Sequence, residues 1–204
     1  MTAQDIQTHN QPTPLGCDPA DLAWVENTVK QAGTSFAAGM KILPPMRRYG
    51  MFAIYAFCRV VDDIADGNAP LAERTQALDE WHARIARLYG PQSAPQPEPL
   101  ERVLLATINF FALRQADFTA VIDGMLMDTQ SSTVAPDAAT LDLYSDLVAS
   151  AVGRLSVLIF GVCSANGDQV AYQLRHSMPL SNTLRDTPED VVRGCLIVSH
   201  DTPA

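Results

Sequence analysis

The stretch Met51-Phe52-Ala53-Ile54-Tyr55-Ala56-Phe57-Cys58-Arg59-Val60-Val61-Asp62-Asp63-Ile64-Ala65-Asp66 decides how this chain is read. Met51, Ile54, Tyr55, Cys58, Val61 and Asp62 recur at helical spacing, so the segment is a helix with an apolar body and an acidic end. Asp62 and Asp66 then lie one turn apart on one face and repel each other. They also sit at the helix C-terminus, where the macrodipole favours cations. A divalent cation removes both penalties. Hard carboxylate oxygens suit Mg²⁺, which keeps several waters and shares itself with substrate phosphates. Taken alone, the motif is equally explained by a solvated acidic helix end.

A second pair far along the chain bears on that choice. Asn182-Thr183-Leu184-Arg185-Asp186-Thr187-Pro188-Glu189-Asp190 repeats the four-residue spacing, Asp186 to Asp190, again beside an arginine. Two such pairs facing each other across a helical bundle form an acidic cage for Mg²⁺ and a diphosphate.

These segments resemble the squalene/phytoene synthase family, all-helical enzymes that join two prenyl diphosphates head to head. The resemblance is carried by Ser35-Phe36, by Leu43-Pro44-Pro45-Met46-Arg47-Arg48, by residues 51 to 66 and by "NTLRDTPEDVVRG" from Asn182. "FTAVIDGMLMD" from Phe118 and "LDLYSDLVASAVGRLSVLIFG" from Leu141 are similar to bacterial presqualene diphosphate synthases of hopanoid pathways. It implies an all-α, single-domain bundle of the isoprenoid-synthase type with a central prenyl diphosphate pocket. By the same resemblance, Asp62, Asp66, Asn182, Asp186 and Asp190 would hold Mg²⁺, and Arg59 and Arg185 would contact diphosphate. Ser35, Phe36 and Tyr55 would line the substrate entrance, Tyr144 would stand near the reacting centre, and Val148, Val152 and Gly153 would form the prenyl wall. The implied reaction joins two farnesyl diphosphates to presqualene diphosphate, with phytoene synthesis as the neighbouring alternative.

The chain departs from the family pattern near its end. Pro179 stands where a glutamine is expected and Arg175 where glycine is, while Pro188 interrupts the second acidic pair. The text after Gly194 loses the family's continuation, so the expectation is a domain incomplete at its C-terminus. An inactive relative or a partner protein is therefore the third reading.

Composition is compatible with all three. The 204 residues are 47% hydrophobic, enough for one core, and the net charge of −9 with only 14 Lys and Arg argues against nucleic acid as partner. Cys17, Cys58, Cys163 and Cys195 form no Cys-x-x-Cys pair, which points to neither zinc nor disulfides and to a reducing cytoplasm. Residues 1–17 read as a disordered lead-in and 18–204 as the domain. The apolar run Leu155 to Cys163 is shorter than the ~18 residues of a spanning helix, leaving peripheral contact as the mode of any membrane association.

Proline and glycine set the expected helices. Asp18-Pro19 opens the first, which Gly33 ends; a short second covers Thr34 to Leu43; the third runs from Pro45 to Asp66 and the fourth from Pro70 to Gly90. A proline-rich loop, Pro91 to Pro99, leads to helices over Pro99–Arg114 and Phe118–Thr129. Long helices are then expected from Pro136 to Phe160 and from Asn166 to Arg185. On the sixth helix Asp128 reads as support for the acidic site and Asp123 as structural.

Overall fold

A computed structural model describes residues 13–33, 36–91, 98–130 and 146–161 of the chain. Its elements are α1 (Pro19–Gln31), α2 (Phe36–Lys41), α3 (Pro45–Ala65), α4 (Leu71–Tyr89), α5 (Pro99–Phe111), α6 (Gln115–Gln130) and, after a π-type turn at Asp146–Ser150, α7 (Ala151–Phe160). No strand occurs among the described residues. The all-α expectation holds.

Helix starts follow from local chemistry. Asp18 caps α1 by accepting a hydrogen bond from the Ala20 N–H at 2.7 Å, and Pro19 occupies the first helical position. Pro45 and Pro99 take the same position in α3 and α5, where the missing N–H costs nothing.

The 21-residue α3 is the central element. It packs against α1, α2, α4, α5, α6 and α7, which is why its apolar residues cover a broad face, leaving Arg59, Asp63 and Asp66 exposed on the other. Phe52, Ala53, Ile54, Ala56, Phe57, Val61 and Ala65 are all buried. Small residues let neighbours approach closely: a Cβ on Gly50 would lie 2.8 Å from Phe111 Cε2 and 3.5 Å from Ile159. Phe57 anchors the other side, with edge-on rings from Trp81 at 5.8 Å and Phe118 at 5.2 Å.

Three buried carboxylates tie helices together, Glu101 of α5 by accepting from Arg84 of α4 at 3.1 Å. Arg102 on α5 donates twice to Asp21 on α1, at 2.7 and 2.6 Å, and holds that carboxyl below its usual range. Asp117 on α6 accepts from Arg114 at 2.9 Å and from Arg154 on α7 at 2.6 Å. These clasps fix α1 to α5 and α6 to α7.

Several boundaries differ from expectation, among them the start of α6, which lies at Gln115 rather than Phe118. The lead-in gives way at Thr13: Pro14–Gly16 forms a 3₁₀ turn, the Leu15 N–H points to Met46 Sδ at 3.2 Å, and Cys17 is buried. Apolar contact with α3 and α5 orders it. Helix α5 stops at Phe111 instead of Arg114, because Ala112 turns left-handed at φ 52° and delivers Leu113 into the core. Tyr89 donates to the Leu113 carbonyl at 2.9 Å and holds that reversal. Finally, the helix expected through residues 136–160 carries the π-type turn at 146–150, with Ser150 Oγ buried and without a hydrogen-bond partner.

Candidate functional site

Tyr55, Arg59, Asp62 and Asp66 follow one another at intervals of four, three and four residues, so they form one stripe along the C-terminal half of α3. Asp66 is the C-cap, and its N–H donates to the Asp62 carbonyl at 2.9 Å, which keeps the last turn closed and the two carboxylates stacked. The expected pairing of Asp62 with Asp66 is therefore built into the helix itself.

The electrostatics are those of an under-neutralised acidic cluster. The Asp62 carboxyl is pushed up to about 6, first by loss of water and then by the Asp66 charge, with Asp63 and Asp128 adding to it and Arg59 opposing. Asp128 is also raised, by burial and by Asp66, against the pull of Arg74. Thus a third carboxylate approaches from α6, and its meaning is spatial: it faces the acidic end of α3. Asp123, by contrast, is engaged elsewhere, 3.0 Å from His82 Nε2.

Cations frame this cluster without cancelling it. Arg59 reaches Asp63 at 2.6 Å and Asp62 at 3.4 Å, yet its side chain stays 47% exposed. Arg74, in the first turn of α4, donates to the Ala65 carbonyl and to the Ala69 carbonyl at 3.1 Å. It thereby satisfies the carbonyl of the last residue of α3 and fixes the loop that follows Asp66. No spacing rule marks Arg74 in the sequence. Cys58, one turn before Asp62, has its thiol pushed up to about 12 by burial and by that carboxylate, so it is not a thiolate nucleophile.

The remaining expected residues divide in two. Phe36 begins α2 and is 51% exposed, and Tyr55 is half-buried on α3. Val148 and Val152 pack partly buried against the core, and Gly153 is half-buried beside them, on a segment that contacts α3 and α6. Ser35, Tyr144, Asn182, Arg185, Asp186 and Asp190 lie outside the described residues, as do Arg175, Pro179 and Pro188. The opposite wall of the expected central pocket, carrying the second acidic pair, is thus not among the described residues. An open groove of about 940 Å³ lies instead between the residue 15–21 segment and α5, lined by Leu15, Arg102, Leu105 and Phe110, away from the acidic cluster.

The donor set fits a hard divalent cation. It consists of carboxylate oxygens from two helices whose repulsion Arg59 and Arg74 offset only in part, and such oxygens suit Mg²⁺ better than softer metals. Among the described residues no three Asp, Glu, His or Cys side chains are grouped so as to hold a metal ion by themselves. No helix among the described residues is long and apolar enough to cross a membrane.

Comparison with known proteins gives this geometry its context. The family model described as squalene/phytoene synthase matches residues 29–201. Presqualene diphosphate synthase of Sinorhizobium fredii is 45% identical over 170 residues, 83% of this chain and 60% of that protein. The Zymomonas mobilis protein of the same name is 50% identical over 166 residues, 79% of this chain and 54% of the relative. This chain therefore spans little more than half the length of those curated relatives. In fold it is similar to squalene synthase HpnC from Alicyclobacillus acidocaldarius, with a TM-score of 0.78 at 24% identity, covering 91% of this chain and 70% of that one. With a match spanning most of its length and relatives this similar, the chain belongs to the squalene/phytoene synthase family.

Proposed function

We propose that this chain carries the first acidic half of a Mg²⁺-dependent site that condenses two farnesyl diphosphates head to head to presqualene diphosphate. The observation that carries the reading is the meeting of Asp62 and Asp66 at the end of α3 with Asp128 of α6, where burial and then neighbouring carboxylates raise Asp62 and Asp128. The likeness to presqualene diphosphate synthases at 45% and 50% identity favours this product over other prenyl condensations.

Asp62 and Asp66, together with Asn182, Asp186 and Asp190, would hold the metal, and Asp128 would support them from α6. When bound, Mg²⁺ supplies charge neutralisation to the departing diphosphate. Arg59 and Arg185 would add planar donors for phosphate oxygens. Arg59 already rests on carboxylates of its own helix, so binding diphosphate would exchange one set of anionic oxygens for another. Phe36 and Tyr55 would guide the prenyl tail. Val148, Val152 and Gly153 would keep water off the allylic cation, with Tyr144 near it.

The overall step balances as one carbon–oxygen bond broken, diphosphate released, two carbon–carbon bonds formed to close a cyclopropane, and one proton lost. The test is product analysis of the purified chain with farnesyl diphosphate and Mg²⁺, with and without NADPH. Presqualene diphosphate supports the reading, and squalene on addition of NADPH extends it. Turnover of geranylgeranyl diphosphate only would favour the phytoene reaction. Absence of both turnover and diphosphate binding would identify a helical relative without activity.

A further inference from the structure

Arg59 stands between two carboxylates of its own helix. At about 100° per residue, Asp62 lies about 60° to one side of it around the α3 axis and Asp63 about 40° to the other. The two directions face different surroundings. Asp62 is half-buried and feels the charge of Asp128 on α6, whereas Asp63 is exposed, about 160° around the helix from the buried Val61. The guanidinium divides itself unevenly between them. Its Nη2 is 2.6 Å from Asp63 Oδ1, a close charge-assisted contact, while Nη1 is 3.4 Å from Asp62 Oδ2, at the long limit of a hydrogen bond.

As a contribution to stability an exposed pair four residues apart counts for little. Its consequence here is positional, because Arg59 is the cation that opposes the charge on Asp62. A guanidinium drawn fully onto Asp62 would cover oxygens that a metal needs and would set a positive charge beside the incoming ion. Held on the outer flank, it leaves those oxygens open.

We propose that Asp63 is a positioning residue: it holds the Arg59 guanidinium on the outer flank of α3 and so keeps Asp62 and Asp66 accessible to a divalent cation. Asp63 is not a metal ligand in this assignment and acts only through Arg59. The inference rests on the metal–diphosphate reading of Asp62 and Asp66 and adds a division of labour between two adjacent identical residues, the inner carboxylate for the cation and the outer one for the arginine. Release is also built in. The Asp63 side chain is 56% exposed, so Arg59 can leave it for phosphate oxygens without stranding a buried charge.

The experiment follows the Mg²⁺ concentration at which a fixed amount of a non-hydrolysable farnesyl diphosphate analogue raises Tm, in the full chain and in Asp63→Asn, Arg59→Gln and the double variant. Asp63→Asn lets Arg59 settle on Asp62, so the Mg²⁺ midpoint should rise about fivefold, the fold-change of one exposed charge contact. In the Arg59→Gln background there is no guanidinium to misplace, and the same substitution should shift the midpoint by less than about twofold. Calorimetry with Mg²⁺ alone repeats the comparison without the diphosphate contact that Arg59→Gln removes. Asp63→Glu keeps the four-residue pairing with Arg59 and should restore the parental midpoint. Metal-free melting should be nearly the same for all variants, since the pair is exposed. A rise of equal size in both backgrounds would overturn the proposal, because Asp63 would then act on the metal directly. So would an unchanged midpoint in Asp63→Asn, or failure of Asp63→Glu to restore it. A parent that responds to Mg²⁺ and analogue neither singly nor together would remove the metal–diphosphate reading and this inference with it.

Discussion

Replacing Asp62 by asparagine should make the metal-free protein more stable at neutral pH. The carboxyl moves from an ordinary value of 3.8 to about 6 in the folded chain, so folding opposes its ionisation. Each unit corresponds to about 1.4 kcal/mol, which gives a ceiling of roughly 3 kcal/mol. Because the side chain keeps 43% exposure, water screens much of this, and about 1 kcal/mol is the expected gain. The sign follows from the raised value. Asp62 is neutral in both states below pH 4, so its penalty is absent there; it appears as pH rises between 4 and 6 and is complete above that. Asp21 and Glu26, held low by Arg102 and Lys30, change stability in the opposite sense, lending it above their unfolded values and losing it in acid. Subtracting the variant from the parent removes their contribution.

The assay is urea unfolding followed by circular dichroism in the presence of a chelator at pH 4, 5, 6 and 7.5. The difference between Asp62→Asn and parent should grow from its acid value by about 1 kcal/mol over that range. A difference that stays constant with pH would refute the argument, because the amide would then act through packing or capping rather than through charge.

Further outcomes follow from the same cluster. Mg²⁺ with a non-hydrolysable farnesyl diphosphate analogue should raise Tm by roughly 5–10 °C at a hundredfold excess over Kd, and either alone by less; identical melting in all conditions would remove the metal–diphosphate reading. Asp128→Asn should diminish that Mg²⁺-dependent rise, while Asp123→Asn, which loses only the His82 contact, should preserve it; calorimetry with and without ligand separates the two. Arg74→Ala should cost about 1–2 kcal/mol by uncapping the Ala65 and Ala69 carbonyls, measured by urea unfolding, with Arg74→Lys recovering part. Asp117→Asn should destabilise by about 2 kcal/mol in the same assay, since both Arg114 and Arg154 lose a charged acceptor; an unaffected midpoint would show that the α6–α7 clasp is energetically idle.

Helix identity was legible where the start is marked locally, and less so for α6, expected from Phe118 and beginning at Gln115. Pro19, Pro45 and Pro99 sit at first helical positions, and Asp18 is a cap with a partner two residues away. The Asp62–Asp66 pair was legible for the same reason, as both residues belong to one helical turn. What could not be read there depends on contacts between distant residues. Ala112 has no local reason to adopt φ 52°; burial of Leu113 and the Tyr89 hydrogen bond impose it. Ser150 gives no sign that its turn is of the π type. Asp128 stands between the two: it reads as support for the acidic site in sequence, and the packing of α6 on α3 supplies its approach to the other carboxylates.

Stability and function pull against each other along α3. Its apolar body is buried by six neighbouring helices, yet it ends in like charges placed where the macrodipole is least favourable. The fold compensates around the cluster rather than within it. Arg74 secures the backbone carbonyls, Arg59 partly offsets the carboxylates, and the Asp117 and Asp21 clasps fix the surrounding helices through charges kept away from it. If the acidic end were neutralised internally by further Lys or Arg, α3 would gain stability and lose its attraction for a cation. Repulsion between Asp62, Asp66 and Asp128 that Arg59 and Arg74 offset only in part is therefore what a metal–diphosphate site at this junction would require.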